Sequence, residues 1–506
     1  MKKRVRQKLA KEQRRIERRL AAAVQVNLGG PVLAGKNIQY EVSEKTSAVA
    51  HSGLGLIVRL VSKLKLAKRI DRSLHLLKFH KPYHESDHVL SIAYNALCGG
   101  QTLDDMEQLR TDRVLLDALG ATSIPDPTTA GDFCRRFTSA DITKLMEAFN
   151  EVRLGVWQQQ GEAFLAATAR IDADGTVVST EGETKEGMDI AYNGVWGYSP
   201  LLISFANTGE PLFLVNRPAN RPSHEGAAPW QDRAIALCRR AGFKDILLRG
   251  DTDFSITSEF DRWSKEGVRF IFGYDARKNM IALAGNTPEM LYSELERRAE
   301  REILTRARTR PENVKDRIVT ERQYKAIRTT SEEVADFEYQ PLKCDRPYRV
   351  VALRKNLSVR KGEEALFDDI RYFFYITNDF TLTPDQVVHE ARQRCNQENL
   401  IGQLKSGVRA LHAPVNTLEA NWAYMVITSL AWSLKGWLAL LLPVNPRWAD
   451  LHRQQRRRVL TMEFRTFVAA FINVPCQIVN TGRRIIYRLL AWNEWQHVLF
   501  RALDAI

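Results

Sequence analysis

The chain has 506 residues, room for roughly two to four domains and a full hydrophobic core, so no disulfide framework is needed for folding. A formal charge of +14 at pH 7 points to nucleic acid or an anionic membrane as partner. Six scattered cysteines (Cys98, Cys134, Cys238, Cys344, Cys395, Cys476) make no CxxC pair and no Cys/His ligand spacing, which argues against a structural zinc and for reduced thiols in the cytosol.

The first 20 residues carry ten Lys and Arg against Glu12 and Glu17, a basic helix that either solubilises the chain or meets DNA phosphate. AAAVQVNLGGPVLAG follows, too polar and glycine-rich for a secretory signal. From about 51 to 150 the pattern is helical, with Ser86 and Asp87 as a start signal and Gly99-Gly100 as a stop. IPDPTTAGDFCRRF reads as a turn into a helix capped by Thr128 or Thr129. Small helices joined by tight turns suit a groove-reading module as well as an ordinary helical domain. Five of the ten histidines (His51, His75, His80, His84, His88) crowd this region, away from the strand ends, which disfavours a Ser/His/Asp hydrolase.

Past 160 the texture changes. FLAATARIDADGTVVST, GYSPLLISFANTG, EPLFLVNRPAN, DILLRGDTDFS and VRFIFGYDA read as strands, with WQDRAIALCRRAGF and SITSEFDRWSKEG as helices between the later ones. A meander followed by alternating helix and strand predicts a mixed α/β sheet. Between 276 and 370 the alternation stops. The charged helical run PEMLYSELERRAEREILTRARTR and the strand-like DFEYQPLK and YRVVALRK read as an insertion. The core resumes at IRYFFYITND, then a helix from Pro384. Trp422 to Val444 is long enough to span a bilayer, but Lys435 and Gly436 near its middle mark a buried core helix, so no membrane is expected. Residues 447–488 hold nine arginines against Asp450 and Glu463. The expected units are 1–150 (helical, basic, DNA-binding), 151–275 and 371–445 (the two parts of the core), 276–370 (insertion) and 446–506 (basic, for DNA contact or dimerisation).

Acids stand where such sheets place their sites. Asp172 and Asp174 share one face of a hydrophobic strand, where a lone carboxylate is costly unless paired or metal-bound. Asp251 and Asp253 follow the apolar run of LLRGDTDF, at a strand's C-terminal end. In QRCNQENLIGQLK, Arg394, Glu398 and Lys405 fall at about 0°, 40° and 20° around an uninterrupted helix, one narrow stripe. Such a stripe is a surface ion-pair ladder or an acid that handles metal beside phosphate. Two strand aspartates and a helix glutamate can converge on a pair of Mg²⁺ ions, with Arg394 and Lys405 holding DNA phosphates. For single acids the bland alternatives stay open: Asp172 as a buried acceptor, Asp253 as a helix cap.

The runs DPTTAGDFCRRF, IDADGTVVSTEGE, AYNGVWGYSPLLISF, RPAN, ILLRGDTDFS, GVRFIFGYDARKN and RQRCNQENLIGQLK, spanning about 125 to 410 in this order, resemble the DDE transposases of bacterial insertion sequences. The likeness is to the insertion-sequence "thirteen-eighty" family, within the hairpin-forming cut-and-paste group. It implies an RNase H-like mixed-sheet core with a mostly β insertion, a helical N-terminal domain and a basic C-terminal tail. The resemblance makes Asp174, one residue short of Thr176, the first catalytic and metal-binding acid. It makes Asp251, after Arg249-Gly250, the second and Glu398 the third. The family's helix pattern, Tyr-x2-Arg-x3-Glu-x6-Lys, is met by Arg394, Glu398 and Lys405, while Ala391 replaces the Tyr. Asp253 stands where a Gly is usual. Also implied are two Mg²⁺ ions (or Mn²⁺), double-stranded DNA partners (the inverted-repeat ends and the target), a synaptic homodimer and a place at the bacterial nucleoid in the cytoplasm. Tyr339, Tyr348 and Trp263 are candidates to receive a flipped base. The rivals are an RNase H-like nuclease or resolvase without strand transfer, and a catalytically dead DNA-binding derivative.

Overall fold

The computed structural model describes residues 3–25, 38, 40, 46–295, 314–361, 364–482, 484–490 and 492–506. Most of the charged run 288–310 and Arg483 of the basic C-terminal stretch lie outside them. The helices that matter for the site and its support are α1 (Lys3–Gln25), α2 (Glu85–Leu97), α3 (Pro127–Cys134), α4 (Ser139–Gln158), α5 (Ala227–Ala241), α6 (Pro384–Gln393), α7 (Cys395–Gly402), α8 (Leu418–Leu440) and α9 (Ala449–Thr461). Two expected caps shift by two or three residues. α2 starts at Glu85 with Asp87 accepting from the His84 backbone N–H at 2.8 Å, and α3 is capped by Asp126, which accepts from Thr129 N at 2.9 Å ahead of Pro127.

Among the described residues, nine strands make one mixed sheet: β1 (Ala169–Gly175), β2 (Leu201–Phe205), β3 (Glu210–Val215), β4 (Ile246–Gly250), β5 (Arg269–Tyr274), β6 (Ser293–Glu294), β7 (Lys325–Tyr339), β8 (Tyr348–Lys361) and β9 (Glu364–Thr377). Their spatial order is β6-β7-β8-β9-β5-β4-β1-β2-β3. β1, β2 and β3 form the expected antiparallel meander, and β4 and β5 run parallel to β1. Every residue of β2 and β4 is buried, as strands covered on both faces require. The expected insertion does not stand apart from the core. β9 pairs with β8 along its length and with β5 through Phe374–Thr377, so β6 to β9 extend the same sheet.

The terminal regions also meet. Ser47–Val49 pairs with Cys476–Thr481, which pairs with Arg484–Leu489. Next to this small sheet, Gly53 N donates to Ile472 O at 3.1 Å, and a Cβ on Gly53 would overlap the Phe471 carbonyl, so glycine alone fits.

α8 is the expected core helix: Ala420 to Leu440 are all buried, and among the described residues no helix is long and apolar enough to cross a membrane. It covers the edge strand β3. Trp422 and Trp432 donate their indole N–H groups to the Leu214 and Gly209 carbonyls, while Asn150 and Arg153 of α4 donate to those of Leu212 and Pro211. Carbonyls that an edge would leave open are thereby satisfied inside the protein. Glu210, fully buried at the start of β3, accepts from Arg153 Nε at 3.0 Å, Trp157 Nε1 at 3.0 Å, Trp437 Nε1 at 2.9 Å and the Thr208 hydroxyl.

Lys435 is buried on α8, donating to Leu460 O at 3.0 Å with its ammonium 3.6 Å from the Trp432 ring centre. Burial pushes its pKa down to about 7. An unfolded lysine keeps a pKa of about 10.4, so from about pH 7 to pH 10 the unfolded state binds the extra proton and stability rises with pH. Lys435→Met is expected to flatten that rise and to stabilise the protein at pH 7. The gain should be about 1–2 kcal/mol once the lost cation–π contact and hydrogen bond are set against relieved desolvation. Thermal melts across pH 6 to 10 check it.

Candidate active site at the ends of two parallel strands

β1 and β4 lie side by side with Asp172 in register with Arg249. Two residues further on stand Asp174, near the end of β1, and Asp251, the first residue after β4. The chain then leaves the sheet on both sides. Asp174 Oδ1 accepts from Gly175 N at 2.8 Å, and Asp251 caps the short turn Thr252–Phe254 by accepting from Asp253 N at 3.1 Å. The turn folds tightly under the strand end: a Cβ on Gly250 would lie 2.6 Å from Phe254 Cβ, which explains the small residue after Arg249.

The structure separates Asp172 from Asp174. Asp172 is buried in a two-pronged ion pair with Arg249, Nε to Oδ1 at 2.7 Å and Nη2 to Oδ2 at 2.9 Å. Both oxygens are engaged, so Asp172 and Arg249 form a framework pair. Asp174 is only partly buried, its side chain 14% exposed, and its ion-pair partner is Arg394. Asp253 is exposed beside Asp251 and does not cap the turn, which Asp251 does itself.

α6 and α7 are held across this face by side chains the sequence reading did not single out. Glu390 accepts from Arg170 Nε and Nη2, both at 2.8 Å, and from Arg249 Nη1 at 3.3 Å. Gln397 donates to the Asp172 and Leu202 carbonyls at 3.2 and 3.1 Å. The available signal was spacing: Glu390, Arg394 and Glu398 follow at intervals of four, so carboxylates flank the arginine on both sides. Arg394 Nη1 then reaches Asp174 Oδ2 at 3.3 Å.

Electrostatics tie the acids together. Burial raises Asp174 to about pKa 6; Arg394 opposes this, while the negative charges of Asp251 and Glu398 add to it. Burial likewise raises Asp251, again opposed by Arg394 and reinforced by Asp253. Glu398 is exposed. The three carboxylates are not gathered as a single-ion cluster: among the described residues only His80, His84 and Glu85 bring ligand atoms within 4.8 Å of one another. Arg394 supplies the positive charge that Asp174 and Asp251 share. Carboxylates that repel one another beside a guanidinium are a hard-oxygen donor set suited to a divalent cation.

The helix expected to carry the single stripe is not regular throughout. The α-helical pattern is interrupted at Arg394, and a wider turn, with Val408 N donating to Gln403 O at 2.8 Å, runs over Gln403–Gly407. Such a turn breaks the 100° step on which Lys405 was placed. Lys405 lies in it half-buried, its pKa lowered by desolvation. Of the candidate base acceptors, Trp263 and Tyr348 are buried, Tyr348 donating to Asp261 at 2.6 Å, and Tyr339 packs on Tyr274.

The family described as transposase DDE domain group 1 matches residues 31–506. Among solved structures, the chain is similar to a piggyBac transposase synaptic complex with hairpin DNA, determined by cryo-EM. The identity is 11% and the TM-score 0.32, over 83% of this chain and 81% of that one. No curated protein matches significantly.

Proposed function

Since the chain belongs to the transposase DDE domain group 1 family, we propose that it is a DNA transposase of the insertion-sequence "thirteen-eighty" type that cleaves the inverted-repeat ends of its element and inserts them into target DNA. The observation that carries this reading is the placement of Asp174 and Asp251 at matching ends of adjacent parallel strands, with Arg394 and Glu398 brought over them by α6 and α7. The order β3-β2-β1-β4-β5 with β2 antiparallel supports an RNase H-like core. The raised carboxylate pKa values fit a site completed by cations.

Asp174, Asp251 and Glu398 would hold two Mg²⁺ (or Mn²⁺) ions. Bound there, the ions lower the pKa of water and stabilise the attacking and leaving oxygens of an in-line displacement. Arg394, which pairs with Asp174 in this structure, would hold a DNA phosphate through its planar fork, and Lys405 would add a point charge. Water attack frees a 3′-hydroxyl at the element end. That hydroxyl attacks the opposite strand to close a hairpin, which is reopened before joining to the target. Each step exchanges one P–O bond for another, so no Ser or Tyr nucleophile is needed. Every Lys and Arg of α1 is exposed, as are Arg453, Arg457 and Arg458 of α9, which suits phosphate contact by the terminal regions 1–150 and 446–506. Two ends must be held together, so the working form is a homodimer, acting at the bacterial nucleoid.

Incubation with labelled candidate ends and Mg²⁺ tests the reading on a denaturing gel: nicks followed by hairpins and joined products support it. Nicks alone would instead indicate a nuclease, and intact DNA an inactive binding protein. The pH dependence gives an independent check. Asp174 must lose its proton to bind a cation, so apparent Mg²⁺ affinity is expected to fall about tenfold per pH unit below about pH 6 and to level off above it. Calorimetric titrations between pH 5 and 7.5 would show this, and a flat profile would count against Asp174 as a ligand.

A further inference from the structure

Away from Asp174 and Asp251, the loop between the helix Leu66–Ser73 and α2 brings together two imidazoles and a carboxylate. His80 and His84 stack with ring centres 4.7 Å apart and planes 12° apart. Glu85, the first residue of α2, is buried, and its Oε2 stands 3.1 Å from His80 Nε2. One ligand atom from each of the three lies within 4.8 Å of the others.

The carboxylate is oriented before any ligand arrives. Its Oε1 accepts from the backbone N–H groups of Leu76 and Leu77 at 3.0 and 3.1 Å. That leaves Oε2 turned toward the imidazoles with no aligned hydrogen bond, although it is buried. A buried anionic oxygen in that state is costly unless a cation shares it. Backbone donors that fix a ligating carboxylate are the usual outer support of a metal site. Both histidines are exposed, so water can fill the remaining coordination positions.

We propose that His80, His84 and Glu85 bind one divalent cation of the zinc class, which clips the loop carrying the exposed Lys78, Phe79 and Lys81 to the start of α2. Two imidazole nitrogens and one carboxylate favour Zn²⁺ and its neighbours, whereas Mg²⁺ prefers an all-oxygen set. The site therefore differs in chemistry from the carboxylates at the ends of β1 and β4, and its occupancy does not depend on the transposase reading. The spacing His-x3-His-Glu escaped the sequence reading because both histidines precede the helix rather than sharing one of its faces.

The test uses the full-length protein, stripped of metal and held in millimolar Mg²⁺ so that hard-oxygen sites are occupied. Titration with Co²⁺ is expected to give one bound equivalent with visible absorption, displaced by Zn²⁺. The His80→Asn/His84→Asn variant should bind that equivalent at least about 100-fold more weakly, while Asp251→Asn keeps it. Circular dichroism confirms that both variants are folded, which the exposure of the histidines favours. Failure of the wild type to bind Co²⁺, or the same binding in the double-histidine variant, overturns the assignment.

Discussion

Glu398→Ala is expected to reduce strand cleavage by at least about 10³-fold while changing the affinity for element ends by less than about threefold. The first figure corresponds to about 4 kcal/mol of lost transition-state stabilisation. Glu398 is exposed on α7, so its removal leaves the fold in place, as surface substitutions do to within about 0.5 kcal/mol. What disappears is a negative charge felt by Asp174 and, on the proposed reading, a ligand for its cations. On the proposed reading, binding to DNA rests on the many exposed cations of α1 and α9 and is expected to stay nearly as it was. Gel-shift and cleavage assays on the same preparation separate the two effects. Lost binding with retained cleavage would refute the role given to Glu398.

The second large effect concerns stability. Glu210→Ala is expected to cost about 3–5 kcal/mol, because it leaves Arg153 charged, buried and without its carboxylate. Two indole N–H groups and the Thr208 hydroxyl lose their acceptor at the same time. Glu210→Gln keeps an acceptor for part of the network and should fall between Ala and wild type. Calorimetric melting temperatures of the three proteins give the order. A melting temperature for Glu210→Ala equal to wild type would show that the network does not hold α4, α8 and β3 together.

Features governed by local pattern were readable in the sequence: the meander, the strands that end in Asp174 and Asp251, and the apolar helix α8. Non-local pairing was not. IRYFFYITND reads as a strand, but nothing in its alternation says that it is the inner end of a strand beginning at Glu364, with a partner on each side. The choice between Asp172 and Asp174 needed Arg249, which lies 77 positions away from Asp172 in the chain and adjacent to it in space. The helix carrying Arg394, Glu398 and Lys405 looks continuous because a lone glycine, Gly402, just ahead of its wider turn is tolerated inside a helical pattern and gives no clear stop. That irregularity coincides with contacts from another segment: Gln403 Oε1 accepts from Phe464 N at 2.9 Å, and Arg465 donates to Ser406 O at 3.1 Å.

β9 has 14 residues, about 46 Å of extended chain at 3.3 Å per residue. Its inner end is bonded to β5, whose other neighbour is the strand that terminates in Asp251. Such a strand behaves as a cantilever built into the wall that carries the acids. Its outer length and the two aspartates thus hang on one continuous hydrogen-bonded sheet, with a single register shift in its ladder to β8, between Val359 and Arg360.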